Sequence, residues 1–300
     1  MTEPASQRRT GIVLVLAAAV AWSTAPFFTR LLALLDSWSI LFWRGLSGAA
    51  AITVVLVLTQ GRAGLRDFTG MRKSGLLVAV LSTLGMISFI PALQLTSVSN
   101  VAIIIATGPF VAAALAWIWL REIPGWRTIL ASLVALCGAV IIVGNGTGGA
   151  DVLGIALACF MTVVIAAMTV AVRRHRDTPM VAAAALSNLL GSIVSIPFAH
   201  GIASVSATDL VTLAMFGFLQ VGLGLSLFVL GSRLLPSGEA TLIATLETPL
   251  MPFWVWLAFQ ETPTARALIG GALVMSAVVA DIAGEMRAKA FSSEVETGSR

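Results

Sequence analysis

The chain has 300 residues, 58% of them hydrophobic and 11% charged, with a mean hydropathy of +0.98. Soluble domains carry about 25% charged residues, so that class is excluded and the chain reads as a polytopic membrane protein. The net charge of +4 and pI near 10.0 would point to nucleic acid only if a basic face stood in water, and the cations fall instead between apolar runs.

A hydrocarbon core about 30 Å thick needs about 20 apolar residues per helix. Ten such runs follow one another, over 11–34, 39–59, 74–94, 98–120, 125–144, 152–172, 179–199, 210–231, 237–260 and 265–283. Their connections are short, so neighbours are antiparallel hairpins and no soluble domain is expected. Arg8 and Arg9 before the first run imitate a signal peptide, but the apolar character continues through Phe27 and Phe28. The first run is therefore expected to stay as an uncleaved helix. Residues 284–300 are polar and are expected to form a disordered cytoplasmic tail.

Orientation follows from the Lys/Arg bias of short loops. With the N terminus in the cytoplasm, 15 of the 18 Lys and Arg lie inside, Arg30 and Arg266 lie outside, and Arg44 lies within the second run. An odd number of spans would scramble that bias. Topology thus accounts for the high pI, and nucleic-acid binding is set aside. Cys137 and Cys159 sit in apolar runs far from any Cys or His partner, which argues against a disulfide or a zinc site.

Sliding the chain on itself by 139 residues aligns Trp117 with Trp256, Glu122 with Glu261, Pro124 with Pro263, Arg127 with Arg266 and Val140 with Val279. The repeat units are 11–145 and 152–283. Five spans per unit is odd, so the halves enter the bilayer in opposite directions, and inverted repeats of this kind hold a transport site near the midplane. Matched residues then fall on opposite faces. Glu122 and Glu261 accordingly read as interfacial charges that end one helix and position the next.

The run from Pro109 through Trp117-Ile118-Trp119-Leu120-Arg121-Glu122-Ile123-Pro124, with Gly138 beyond, returns as Pro249, Trp254-Val255-Trp256 and Glu261-Thr262-Pro263. Both occurrences resemble the end of an EamA repeat, and the chain is similar to the drug/metabolite transporter superfamily from residue 11 to about 283. The resemblance implies an all-α, ten-helix exporter in the bacterial inner membrane, with both termini cytoplasmic and no cofactor. The opening Ala18-Ala19-Val20-Ala21-Trp22-Ser23-Thr24-Ala25-Pro26, together with Leu41-Phe42-Trp43-Arg44, is similar to the aromatic amino acid exporter branch. That implies amino acids as substrate, aromatic or neutral. One departure stands out: Thr248 separates Glu247 from Pro249, and the second proline falls one position out of the 139-residue register.

A charge at the bilayer centre costs about 2.5 to 3.5 kcal/mol, so ionisable residues at depth are functional candidates. Arg44 lies ~8 Å into its helix and is either an interfacial anchor that snorkels or a group with a role in charge. Glu247 lies ~15 Å deep with no snorkelling route, and is a candidate for binding a substrate ammonium or for carrying a proton. Uncharged candidates for the substrate cavity are Asn100, Thr107, Asn188, Gln220, Thr241 and Thr245, against the alternative that each bonds a neighbouring helix. Pro26, Pro91, Pro109 and Pro249, with Pro252, are candidate hinges, since a span tolerates a freed carbonyl only where it is re-satisfied or lines a cavity. Trp38, Trp43, Trp119, Trp126 and Trp256 read as interfacial belt residues. Trp22, Phe89, Trp117, Phe160 and Trp254 lie deeper, as cavity lining or lipid-facing rings, Trp22 being the foremost candidate.

The scarcity of charge at depth suits a zwitterionic or apolar substrate better than a phosphorylated one. A broad metabolite or drug exporter of the same fold is the alternative, and a passive channel is the reading from another class. Enzyme activity is not expected: His-Glu-x-x-His and Gly-x-Ser-x-Gly are absent, and His175 and His200 fall in loops. No nucleotide-binding motif occurs, so ATP is not the driver. With no tyrosine in the chain, selection falls to Trp and Phe surfaces and a few amide, hydroxyl and carboxyl groups.

Overall fold

In a computed structural model, residues 4–61, 68, 71, 73–121, 126–143, 148–175, 179–235, 240, 243–265, 268–280 and 284 are described, and every regular element among them is helical. The helices are α1 (Pro4–Ser23), α2 (Ala25–Leu31), α3 (Ser37–Gln60), α4 (Lys73–Leu95), α5 (Val98–Ala106), α6 (Gly108–Leu120), α7 (Trp126–Val143), α8 (Gly149–Arg174), α9 (Met180–Ser195), α10 (Ala207–Phe216), α11 (Gly224–Ser232), α12 (Glu247–Phe259) and α13 (Leu268–Ala280). A π-helical stretch, Gly217–Leu223, joins α10 to α11.

Among the described residues, six stretches are long and apolar enough to cross a membrane: Gln7–Leu31, Ser37–Thr59, Lys73–Leu95, Val98–Leu120, Gly149–Val172 and Ala207–Ser232. The other four expected runs hold α7, α9, α12 and α13, which are shorter or interrupted. Glu122, Pro124, Thr241 and Arg266, and the expected tail beyond residue 284, lie outside the described residues.

Local chemistry sets the helix ends. Asp36 caps α3 by accepting from the backbone N–H of Trp38 and Ser39 at 3.1 and 3.0 Å. Ser97 caps α5 through the N–H of Asn100 at 3.2 Å, and Ser206 caps α10 through that of Asp209 at 3.1 Å. Each satisfies a donor that a helix start leaves orphaned.

The prolines act unequally. Thr24 and Thr107 break the first and fourth runs with nearly identical backbone angles, φ −77° and ψ −7° against φ −76° and ψ −8°. In each the hydroxyl donates to the carbonyl three residues back, Ala21 at 2.6 Å and Ile104 at 2.7 Å. Two residues on stand Pro26 and Pro109, in the first turn of the new segment. A proline there supplies no N–H to the carbonyl four residues back, that of Trp22 or Ile105. Pro91, by contrast, lies inside α4 without dividing it, as Pro252 does in α12.

The 139-residue register recurs in the backbone. The break at Thr107 is matched by Leu246, with φ −62° and ψ −17°. Among the described residues, the non-glycine positions with positive φ are Arg121 at 56° and Gln260 at 57°, each ending its helix. The break keeps the register that Pro249 misses, so the one-residue slip puts the proline deeper into the first turn of α12 without moving the break.

The two halves do not fold as separate lobes. Among the described helices, α4 packs along α8, α3 along α9, α1 along α11, and α5 against α12. Each pairing joins one half to the other, so the seam between the halves runs through the middle of the bundle.

Candidate functional site

A cavity of about 390 Å³ lies in that seam. The first half contributes Trp22, Arg44, Ser82, Gly85, Met86, Phe89 and Ile105; the second contributes Met161, Ile165, Asn188, Gln220, Val221, Glu247 and Met251. Trp22 and Ile105 are the residues whose carbonyls Pro26 and Pro109 leave without the usual donor. Helix breaks and cavity therefore coincide, as they do where broken helices line a transport site.

Arg44 does not snorkel. It is 5% exposed, its guanidinium carbon lies 4.8 Å from the Phe216 ring centroid, and Nε donates to Gln220 Oε1 at 3.0 Å, with Nη2 donating to the same oxygen. The reading of Arg44 as an interfacial anchor is thereby corrected: Gln220, 176 residues away in sequence, draws the side chain into the bundle. Gln220 sits in the π-helical stretch, a distortion that often accompanies functional positions. Its acceptor oxygen offers a cheaper partner than a long reach to the interface.

Asn188 on α9 donates through Nδ2 to its own helix, to Ala184 O at 2.9 Å. Its Oδ1 and the Nη1 of Arg44 are buried and make no hydrogen bond. Glu247 opens α12 directly after the break at Leu246 and lines the cavity with Arg44, without an ion pair joining the two. Trp22 is tilted against Phe228, ring centroids 5.1 Å apart and planes 44° to each other. A Cβ on Gly224 would fall 2.6 Å from the Trp22 indole nitrogen, so that glycine admits the ring.

Other expected cavity residues lie elsewhere. Asn100 donates to Thr96 Oγ1 at 3.1 Å, and Thr96 in turn bonds Asp151, in a network at the end of the bundle. Thr107 spends its hydroxyl on Ile104. Trp254 donates to Ser23 Oγ at 2.8 Å, between α12 and α1. Thr245 adjoins the second break and is not among the lining residues. Pro249 and Thr248 line a separate, almost wholly apolar cleft between α5, α12 and α13. Trp117 and Phe160, 55% and 47% exposed, face outward.

Sequence reasoning missed one ion pair altogether. Arg30 near the end of α2 forks onto Glu261, Nε to Oε2 at 2.9 Å and Nη2 to Oε1 at 3.2 Å. The same guanidinium donates to Leu93 O at 2.8 Å and Thr96 O at 3.4 Å, carbonyls at the end of α4. Beneath it, Phe27 meets Phe259 at 5.8 Å and Phe28 stacks on Phe216 at 5.1 Å. The signal available in the sequence was that Arg30 and Glu261 fall on one side of the expected membrane.

The sequence matches the EamA-like transporter family twice, over residues 9–144 and 152–280. The chain belongs to that family. EamA-like proteins are membrane transporters of the drug/metabolite superfamily, and a transporter of this family binds small-molecule substrates within a lipid bilayer. A solved structure described only as the crystal structure of a protein is similar in fold, with a TM-score of 0.66 at 15% sequence identity, over 91% of this chain and 96% of that one. No curated protein matches the sequence.

Proposed function

We propose that this EamA-family chain spans the bacterial inner membrane ten times as two inverted five-helix repeats, termini inside, and exports aromatic or neutral amino acids by alternating access. The observation that carries the reading is the cavity in the seam. Its wall offers one guanidinium, Arg44, and one carboxylate, Glu247, among aromatic, thioether and aliphatic side chains. A zwitterion with an apolar side chain matches that set in both charge and surface. A phosphorylated solute would call for several cations, and Arg44 stands alone on the described wall. The volume lies within the range of small-molecule sites, about 300 to 1,000 Å³. The Lys/Arg bias puts Arg30, Glu261 and the end of α4 on the outer side.

Liposome counterflow with labelled phenylalanine, threonine and a cationic dye tests the assignment. Saturable phenylalanine counterflow is expected. Dye transport without amino acid transport would replace the reading with a broad metabolite or drug exporter, and linear, non-saturating flux would make the protein a channel.

Selection by size has its own test. Gly224→Ala forces the Trp22 ring to move, and Phe228 already occupies one side of it. The ring shifts into the cavity. Phenylalanine transport is expected to fall about tenfold relative to alanine transport, with a stability loss of about 1 to 3 kcal/mol, the usual range for overpacking. Equal loss for both substrates would show that Trp22 does not bound the substrate space.

A further inference from the structure

We infer that Arg44 and Asn188 together form the head-group site, Arg44 Nη1 taking a carboxylate and Asn188 Oδ1 taking an adjacent ammonium. The inference rests on reading the cavity as an amino acid site, and it assigns each end of the zwitterion.

Arg44 carries a permanent charge and five donors. Two of its nitrogens converge on one oxygen, that of Gln220, which is a neutral acceptor, and Nη1 is left buried with no partner. No described carboxylate pairs with the guanidinium. A charge enclosed in this way is costly unless an anion reaches it. Asn188 is fixed from the other side: Nδ2 donates to Ala184 O, which accepts only, so the amide orientation is determined and the unpartnered atom is the acceptor Oδ1.

The two unmade groups share one wall. Asn188 Oδ1 lies 3.2 Å from where a Cβ on Gly48 would stand. Gly48 is four residues from Arg44 on α3, hence on the same face and about 6 Å along the axis. Arg44 and Asn188 both line the seam cavity, and an unpartnered donor and an unpartnered acceptor on one wall suit a ligand that presents an anionic acceptor beside a cationic donor. An α-amino acid does so. Glu247 is then not needed to hold the ammonium and stays free to exchange a proton.

The test measures binding to the full-length protein of three probes: phenylalanine, 3-phenylpropionate, which lacks the ammonium, and phenethylamine, which lacks the carboxylate. Arg44→Gln is expected to weaken phenylalanine and phenylpropionate about 30-fold, in the range for a lost hydrogen bond to a charged group, while phenethylamine changes less than about twofold. Asn188→Leu is expected to weaken phenylalanine and phenethylamine about tenfold and to spare phenylpropionate. Equal losses for all three probes would make the two residues structural and overturn the assignment. Should Arg44→Gln fail to fold, Arg44→Lys, which keeps the charge without the fork, and the Asn188 arm still decide it. Wild-type protein that binds phenylpropionate but not phenylalanine would retain the carboxylate site and reject the amino acid reading. Phenylalanine bound equally by wild type and both variants would do the reverse, and wild-type protein binding none of the probes would reject both.

Discussion

Glu247→Gln is expected to abolish the acceleration of transport by an imposed pH gradient while leaving substrate exchange at zero gradient within about twofold, since a steric match keeps its hydrogen-bonding shape but cannot ionise. The reasoning is positional. Glu247 starts α12 immediately after the break at Leu246 and lines the seam cavity. The elements that wall the cavity around it bring one other charged side chain, Arg44 on α3; α1, α4, α5, α8, α9 and the π-helical stretch contribute uncharged residues there. If Arg44 and Asn188 hold the head group, Glu247 is the group left to load a proton on one side and release it on the other. With protons driving export, a gradient directed inward speeds outward substrate flux in the wild type, and the variant loses that response. The measurement is flux from proteoliposomes with and without an imposed gradient. A variant that keeps the response removes Glu247 from coupling, and a wild type without any response makes the protein a uniporter.

What the sequence revealed and what it concealed follow from how much each depends on contacts between distant residues. Apolar runs are local, and they placed the helical segments along the chain, whereas the caps at Asp36 and Ser97 came only with the structure. The repeat was legible through Trp117 and Trp256, and the left-handed helix ends at Arg121 and Gln260 repeat at the same spacing. Pro26 and Pro109 mark breaks two residues after Thr24 and Thr107, and Pro249 follows the break at Leu246 by three, whereas Pro91 lies in an unbroken helix. Side-chain direction was the hidden part. These helices are apolar all round, so no polar face distinguishes lipid from seam; Trp22 and Trp117 both read as cavity-lining or lipid-facing rings, Trp22 foremost, and Trp22 lines the cavity while Trp117 faces outward. Depth was a poor guide for the same reason. Arg44 is shallow enough to snorkel and turns inward because Gln220, on a helix far along the chain, gives it an acceptor. Asn100 and Thr107 sit in a run that borders the cavity at Ile105, yet their own polar atoms are bonded within the nearby backbone and side chains.

Arg30→Ala is expected to open the end of the bundle that the proposed topology puts outside. Four hydrogen bonds converge on this guanidinium from the Glu261 carboxylate and from the carbonyls of Leu93 and Thr96, tying α2, the end of α4 and the segment after α12 into one knot. Those carbonyls lack intrahelical partners because α4 ends there, and a cation at a helix C terminus is favoured. The pair is only partly enclosed, with side-chain exposures of 22% and 35%, so its worth is below that of a buried fork. A loss of about 1.5 to 3 kcal/mol, the range for bonds to charged groups, shifts a closed-to-open equilibrium by about 10- to 150-fold. The aromatic layer of Phe27, Phe28, Phe216 and Phe259 beneath the knot would then carry the closure unaided. A cysteine placed on the cavity wall by Met251→Cys, in a background without Cys137 and Cys159, reports the change: Arg30→Ala is expected to raise its labelling by an impermeant thiol reagent from the outer side at least tenfold. Glu261→Gln, which keeps the size of the side chain but not the charge, is expected to give a smaller rise of the same sign, because Arg30 retains its two carbonyls. Labelling unchanged in both variants would mean that the ion pair fastens the helix ends without gating the cavity.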